Sequence, residues 1–205
     1  MREKDIILVA RIMSAIFSPF YLPVLGLLAL FIFSYLSFLQ WPAKLYIFII
    51  VYTLTILLPT TLIRIYRHYQ GWNLTEIGHK EKRVVPYIIS IVCYLLCYWM
   101  LNANHIPYSI GSIVVASLMI QMVCALINVK WKISTHSAGI GGVAGALIAF
   151  AEIFSFNPVW WLCLVLLLAG LVGTSRMILR QHTLAQVVCG FLVGMACSVI
   201  AVLFI

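Results

Sequence analysis

The chain has 205 residues, 64% of them hydrophobic and only 9% charged, with a mean hydropathy of +1.12 and a formal net charge of +8. No soluble domain of this length needs so much apolar surface, and in such a chain the positive charge does not point to nucleic acid. Runs of about 20 apolar residues read as membrane-spanning helices, and no alternating ten-residue strands suggest a barrel. The expectation is an all-α, polytopic membrane helix bundle of about six to seven transmembrane helices, folded as one membrane domain over residues 1–205.

The first apolar run, residues 6–39, is interrupted by Arg11, by Ser18-Pro19 and by Pro23. It is too long for one span. It predicts an interfacial amphipathic helix near 4–17, a turn at SPFYLP and a first span near 22–39, with a re-entrant hairpin as the competing arrangement. The N-terminal stretch, charged on both sides of a short apolar run, does not read as a signal peptide. Further spans are expected near 44–64, 85–101, 108–128, 137–151, 158–173 and 183–204. Cysteines 93, 97, 124, 163, 189 and 197 all lie inside apolar runs and read as packing residues rather than disulfides or a metal site.

Three polar knots separate these spans: residues 64–83, 130–136 and 175–182. An even number of spans lies between successive knots, so all three fall on one membrane face. Of the thirteen Lys and Arg residues, all except Lys44 lie on that face. The positive-inside rule makes it cytoplasmic, while a phosphate site would gather the same cations whichever way it faced.

Taken together, the knots hold the parts of an anion site. The first carries His79, Lys80, Lys82 and Arg83. The second carries Lys132, Ser134, Thr135 and His136 just before AGIGGVAG, a glycine-rich helix start. The third carries Arg176, Arg180, His182 and Gln186. Cations, hydroxyls and free N–H groups at a helix start favour a phosphate, and two histidines allow a nucleophile and a general acid to be divided between them. The small residues Gly139, Gly141, Gly142 and Gly145 would let a neighbouring helix approach closely. Arg180, Lys130 and Lys132 read as headgroup contacts, and His68 and His105 as structural residues.

Ser175-Arg176, five residues and then His182 match S-R-x5-H. Ser134 and His136 match the serine and histidine of P-S-G-H. Lys80 to Pro86 is a compressed form of K-x6-R-P. In these motifs the chain resembles the type-2 phosphatidic acid phosphatase superfamily, membrane relatives of the vanadium haloperoxidases, over roughly residues 75–200. The resemblance implies that His182 attacks phosphorus to form a phosphohistidine and that His136 protonates the leaving oxygen. It implies that Arg176, Lys80 and Arg83 hold the phosphoryl oxygens, with Ser134 and Thr135 adding hydrogen bonds. It also implies that no metal or other cofactor is needed.

One departure is plain: Gln186 stands where the family motif carries an aspartate. Its amide oxygen can accept a hydrogen bond from Nδ1–H of His182, but it supplies no charge and could flip to donate instead. Loss of the carboxylate from a comparable His–Asp pair costs about 10⁴ in rate. The chain is therefore a slow phosphatase, one that recruits Glu76 or Glu81, or a relative that binds or moves anionic phospholipids without turnover; on the first reading Gln186→Asp should preserve or raise activity. A metal site built from His79, His136 and His182 is the least supported alternative. The expected partners are a phospholipid or isoprenoid phosphate and the surrounding lipids, with no nucleic acid, in the inner membrane of a bacterium.

Overall fold

The computed structural model describes residues 3–69 and 80–204, the side chains of Glu3, Pro19, Leu22, Phe33, Tyr35 and residues 80–83 excepted. It is all helical among those residues. Helix α1 (Glu3–Ile16) is followed by a 3-10 turn and by α2 (Leu22–Phe33). Among the described side chains of α1, only Ala10 and Ser14 are buried; Ile6, Ile7, Leu8, Val9, Ile12 and Ile16 are exposed, as an interfacial helix requires.

Helix α2 has 12 residues, about 18 Å of helix, which is too short to cross a bilayer unaided. Its flanking 3-10 turns, Pro19–Tyr21 and Tyr35–Phe38, complete the crossing. Two contacts establish this. Ser14 bonds Arg176 at one end of the bundle, and Tyr46 bonds Asn104 at the other, so the chain between Ser14 and Tyr46 must traverse it. The first span is thus a broken helix rather than a hairpin.

Helices α3 (Trp41–Tyr52) and α4 (Leu58–Tyr69) form one continuous 29-residue span, joined through a π-helical turn at Thr53–Leu57. Buried Pro59 explains that turn: a proline clashes with the carbonyl four residues before it, here Thr55, and widening the helix relieves the clash. The remaining spans are α5 (Lys80–Ala103), α6 (Tyr108–Lys130), α7 (Thr135–Phe154), α8 (Val159–Ile178) and α9 (Leu184–Phe204). Six helices among the described residues are long and apolar enough to cross a membrane. The polar knots between α6 and α7 and between α8 and α9 fall at one end of the bundle.

The sixth predicted span stops near 173, but α8 continues through Ser175 and Arg176 to Ile178. A Schellman motif ends it. Arg180 adopts a left-handed conformation (φ 51°), its N–H donates to the Met177 carbonyl (2.8 Å), and the Gln181 N–H donates to Arg176 O (3.1 Å). The reversal lets the chain pass from Arg176 to His182 within one tight turn.

The tightest helix pair is α7 with α9. A Cβ built on Gly141 or Gly145 would strike the Phe191 or Met195 carbonyl, and one on Gly194 would strike Ala138 O. A Cβ on Gly190 would lie 2.6 Å from Ser134 O. Glycines four residues apart on both helices let the backbones touch, which is the small-residue packing used between membrane helices. This contact brings the second and third knots together.

Candidate active site

The N-termini of α7 and α9 meet side by side. Ser134 is the N-cap of α7: its Oγ accepts the Ser137 N–H (3.4 Å), and its own N–H donates to the Gln186 carbonyl (3.3 Å). Helix starts carry unpaired N–H groups and the positive end of the dipole, so two of them together favour an anion. Ser134 is fully buried, and its N–H and its capping oxygen join the two helices. Thr135 opens α7 beside it.

Helix α9 begins with a capping box. Thr183 N–H donates to Gln186 Oε1 (3.2 Å), and Gln186 N–H reaches Thr183 Oγ1 at 3.5 Å, a weak bond. Gln186 Oε1 also faces Nδ1 of His182 at 3.2 Å. A backbone N–H can only donate, so the Thr183 contact identifies that atom of Gln186 as the oxygen. The amide is not free to flip. In the tautomer with the proton on Nδ1, that oxygen accepts it and Nε2 keeps its lone pair.

His182 is half-buried, and its pKa is pushed down from 6.5 to about 4. Burial is the main cause, and the nearby Arg176 and Lys132 charges add to it. The Gln186 hydrogen bond and a contact with the Lys132 backbone oppose the shift. The imidazole is neutral at pH 7, the state a nitrogen nucleophile needs.

His136 lies in the first turn of α7, beside the Arg176 guanidinium and the His182 ring, with the Ser14 backbone against its own ring. Arg176 extends from the last turn of α8, where its Nη1 donates to Ser14 Oγ at 2.7 Å. Of the three buried side-chain polar atoms without a hydrogen-bond partner among the described residues, two lie here, Nδ1 of His136 and Nε of Arg176; the third is the Tyr94 hydroxyl. Unpaired polar atoms this deep are costly unless a ligand or water satisfies them.

The structure thus joins His136, Arg176, His182, Gln186 and Ser134. Lys80 and Arg83 sit in the opening turn of α5, but their side chains lie outside the described residues, as do His79, Glu76 and the side chains of Glu81 and Lys82. Ser14 was not anticipated from sequence. Nothing in a lone serine on an amphipathic helix signals that it meets an arginine 162 residues away. The capping box was legible: Thr183-x-x-Gln186 is its signature.

The family model described as the PAP2 superfamily matches residues 121–205, from within α6 through α9. That segment contains His136, Arg176, His182 and Gln186, and leaves out Ser14, Lys80 and Arg83. No curated protein and no solved structure gives a match.

Proposed function

We propose that this multi-pass membrane protein, whose residues 121–205 match the PAP2 superfamily model, is a phosphatase that hydrolyses a lipid-borne phosphate or pyrophosphate through a phosphohistidine. The observation that carries this reading is the convergence of a neutral His182, a second histidine and an arginine at two paired helix N-termini. Nε2 of His182 attacks phosphorus as the bond to the lipid oxygen breaks, and His136 gives that oxygen its proton. Water then attacks the phosphohistidine, His136 takes the proton back, and inorganic phosphate leaves. Arg176 and the two helix dipoles hold the phosphoryl oxygens, and the unpaired Nε of Arg176 is a donor suited to one of them. Lys80 and Arg83 belong to the same proposal through their motif. The chemistry assigns no step to a metal or other cofactor. We place the protein in the inner membrane of a bacterium, with substrate reaching the site from within the bilayer.

The test is phosphate release by detergent-purified protein from phosphatidic acid and from isoprenoid pyrophosphate. His182→Ala and His136→Ala should each lower the rate by about 10³ or more. A wild-type rate no higher than that of folded His182→Ala would overturn the reading. One observation favours a second reading, a protein that binds anionic phospholipid without turnover: Gln186 supplies no charge to His182. Headgroup binding that survives His182→Ala, with no phosphate released, would support that alternative.

A further inference from the structure

Beneath the phosphate site the bundle holds a partly open cavity of about 340 Å³ among α2, α5, α6, α7, α8 and α9. Its wall begins at Gly139, one helical turn from His136, and follows α7 past Ala146 and Phe150 to Phe154, with Trp161 also at the far end. Gly139 to Phe154 is about 22 Å of helix, most of the hydrocarbon thickness of a bilayer.

The lining is nearly all apolar. Two of its serines, Ser34 and Ser117, turn their hydroxyls back onto the Leu30 and Ile113 carbonyls of their own helices (2.6 and 2.9 Å). That leaves little to hold water along most of its length, since a buried water needs two to four polar partners. A hydrocarbon chain needs none. The volume is near the lower end of the roughly 300–1,000 Å³ typical of small-ligand pockets, which suits one chain and not a diacyl pair.

We propose that this cavity is the tail site of the same substrate, and that it takes one hydrocarbon chain, so that the protein selects single-chain lipid phosphates over diacyl ones. A phosphate held by Arg176 and His182 leaves its chain to run from the first turn of α7 into the bundle. An isoprenoid phosphate and a lysophospholipid phosphate share this chemistry. The proposal rests on the phosphatase reading for its choice of headgroup but not for occupancy of the cavity.

The experiment uses a sixteen-carbon lysophosphatidate with a diazirine in its chain, photolysed on the full-length protein in detergent, with labelled peptides mapped by mass spectrometry. Labels should fall on the α6 and α7 walls. Ala146→Phe, which fills the middle of the cavity, should reduce them about tenfold. Leu167→Phe, on the exposed outer surface of α8, should leave them unchanged. Unlabelled farnesyl phosphate or lysophosphatidate should compete, and whichever does so more strongly identifies the chain type; dioleoyl phosphatidate should compete poorly. In turnover, Ala146→Phe should lower kcat/KM about tenfold for the sixteen-carbon substrate and less than twofold for an eight-carbon alkyl phosphate too short to reach it. Labels confined to the outer surface, equal competition by the diacyl lipid, or equal loss for both chain lengths would overturn the proposal. Labelled walls with no phosphate released from any substrate would leave the tail site standing and remove the phosphatase reading alone.

Discussion

Gln186→Glu adds the missing charge without moving the contact. Gln186 Oε1 accepts from Thr183 N–H and faces His182 Nδ1, both at 3.2 Å. Glutamate has the same length and keeps an oxygen at both positions. Aspartate, the residue of the family motif, is one methylene shorter and ends about 1.5 Å back, so glutamate is the variant that keeps the observed distances. As His182 attacks phosphorus its ring becomes cationic. A carboxylate about 4 Å from that charge is worth about 4 kcal/mol at an effective dielectric of about 20, equivalent to about 10³ in rate. Partial exposure of the ring and the neighbouring Arg176 charge reduce the expectation to about 10² in kcat. The same carboxylate should raise the His182 pKa from about 4 toward its ordinary range, moving the acid limb of kcat/KM upward. Steady-state phosphate release across pH measures both quantities. A folded variant with unchanged or lower kcat and an unmoved acid limb would refute the assignment of His182 as the nucleophile oriented by residue 186.

In the wild-type protein, kcat/KM should hold down to about pH 5 and fall as His182 takes a proton near 4. The unfolded chain takes that proton near 6.5, so fold stability should decline over the same descent from about 6.5 to 4, read as Tm in detergent. Ser14→Ala removes the hydroxyl that fixes Arg176 and should raise KM up to about tenfold with kcat little changed; an unaltered KM would exclude Ser14 from the site. Gly194→Ala drives a Cβ into the Ala138 carbonyl and should cost about 3 kcal/mol, visible as a lower Tm. Gly170→Ala, where a Cβ meets nothing within 4 Å, is the matched control and should be neutral or stabilising.

The helical class, the spans and the shared face of the polar knots were legible in the sequence because each depends on hydropathy and segment length alone. Apolar runs of one bilayer thickness must be helices, and parity then places their ends. The His182–Gln186 pair was legible as a short local spacing, although His182 precedes α9 and the contact is made by the helix cap rather than by a helical turn. Which amide atom of Gln186 meets the ring was not, because it depends on Thr183 N–H, whose position is set by how α9 begins. The reach of α8 through Arg176 was hidden too, since a left-handed arginine can end a helix where no glycine marks the place. Other features belong to the tertiary structure outright. Ser14 meets Arg176 because α1 folds back over α8, and the Ser134 N–H meets the Gln186 carbonyl because α7 and α9 touch at their glycines. The sequence by itself determined that a bundle forms and which end of it is cationic; packing between distant helices decided which hydroxyls and N–H groups remain for a ligand, because that choice depends on distances of a few ångströms that no local spacing encodes.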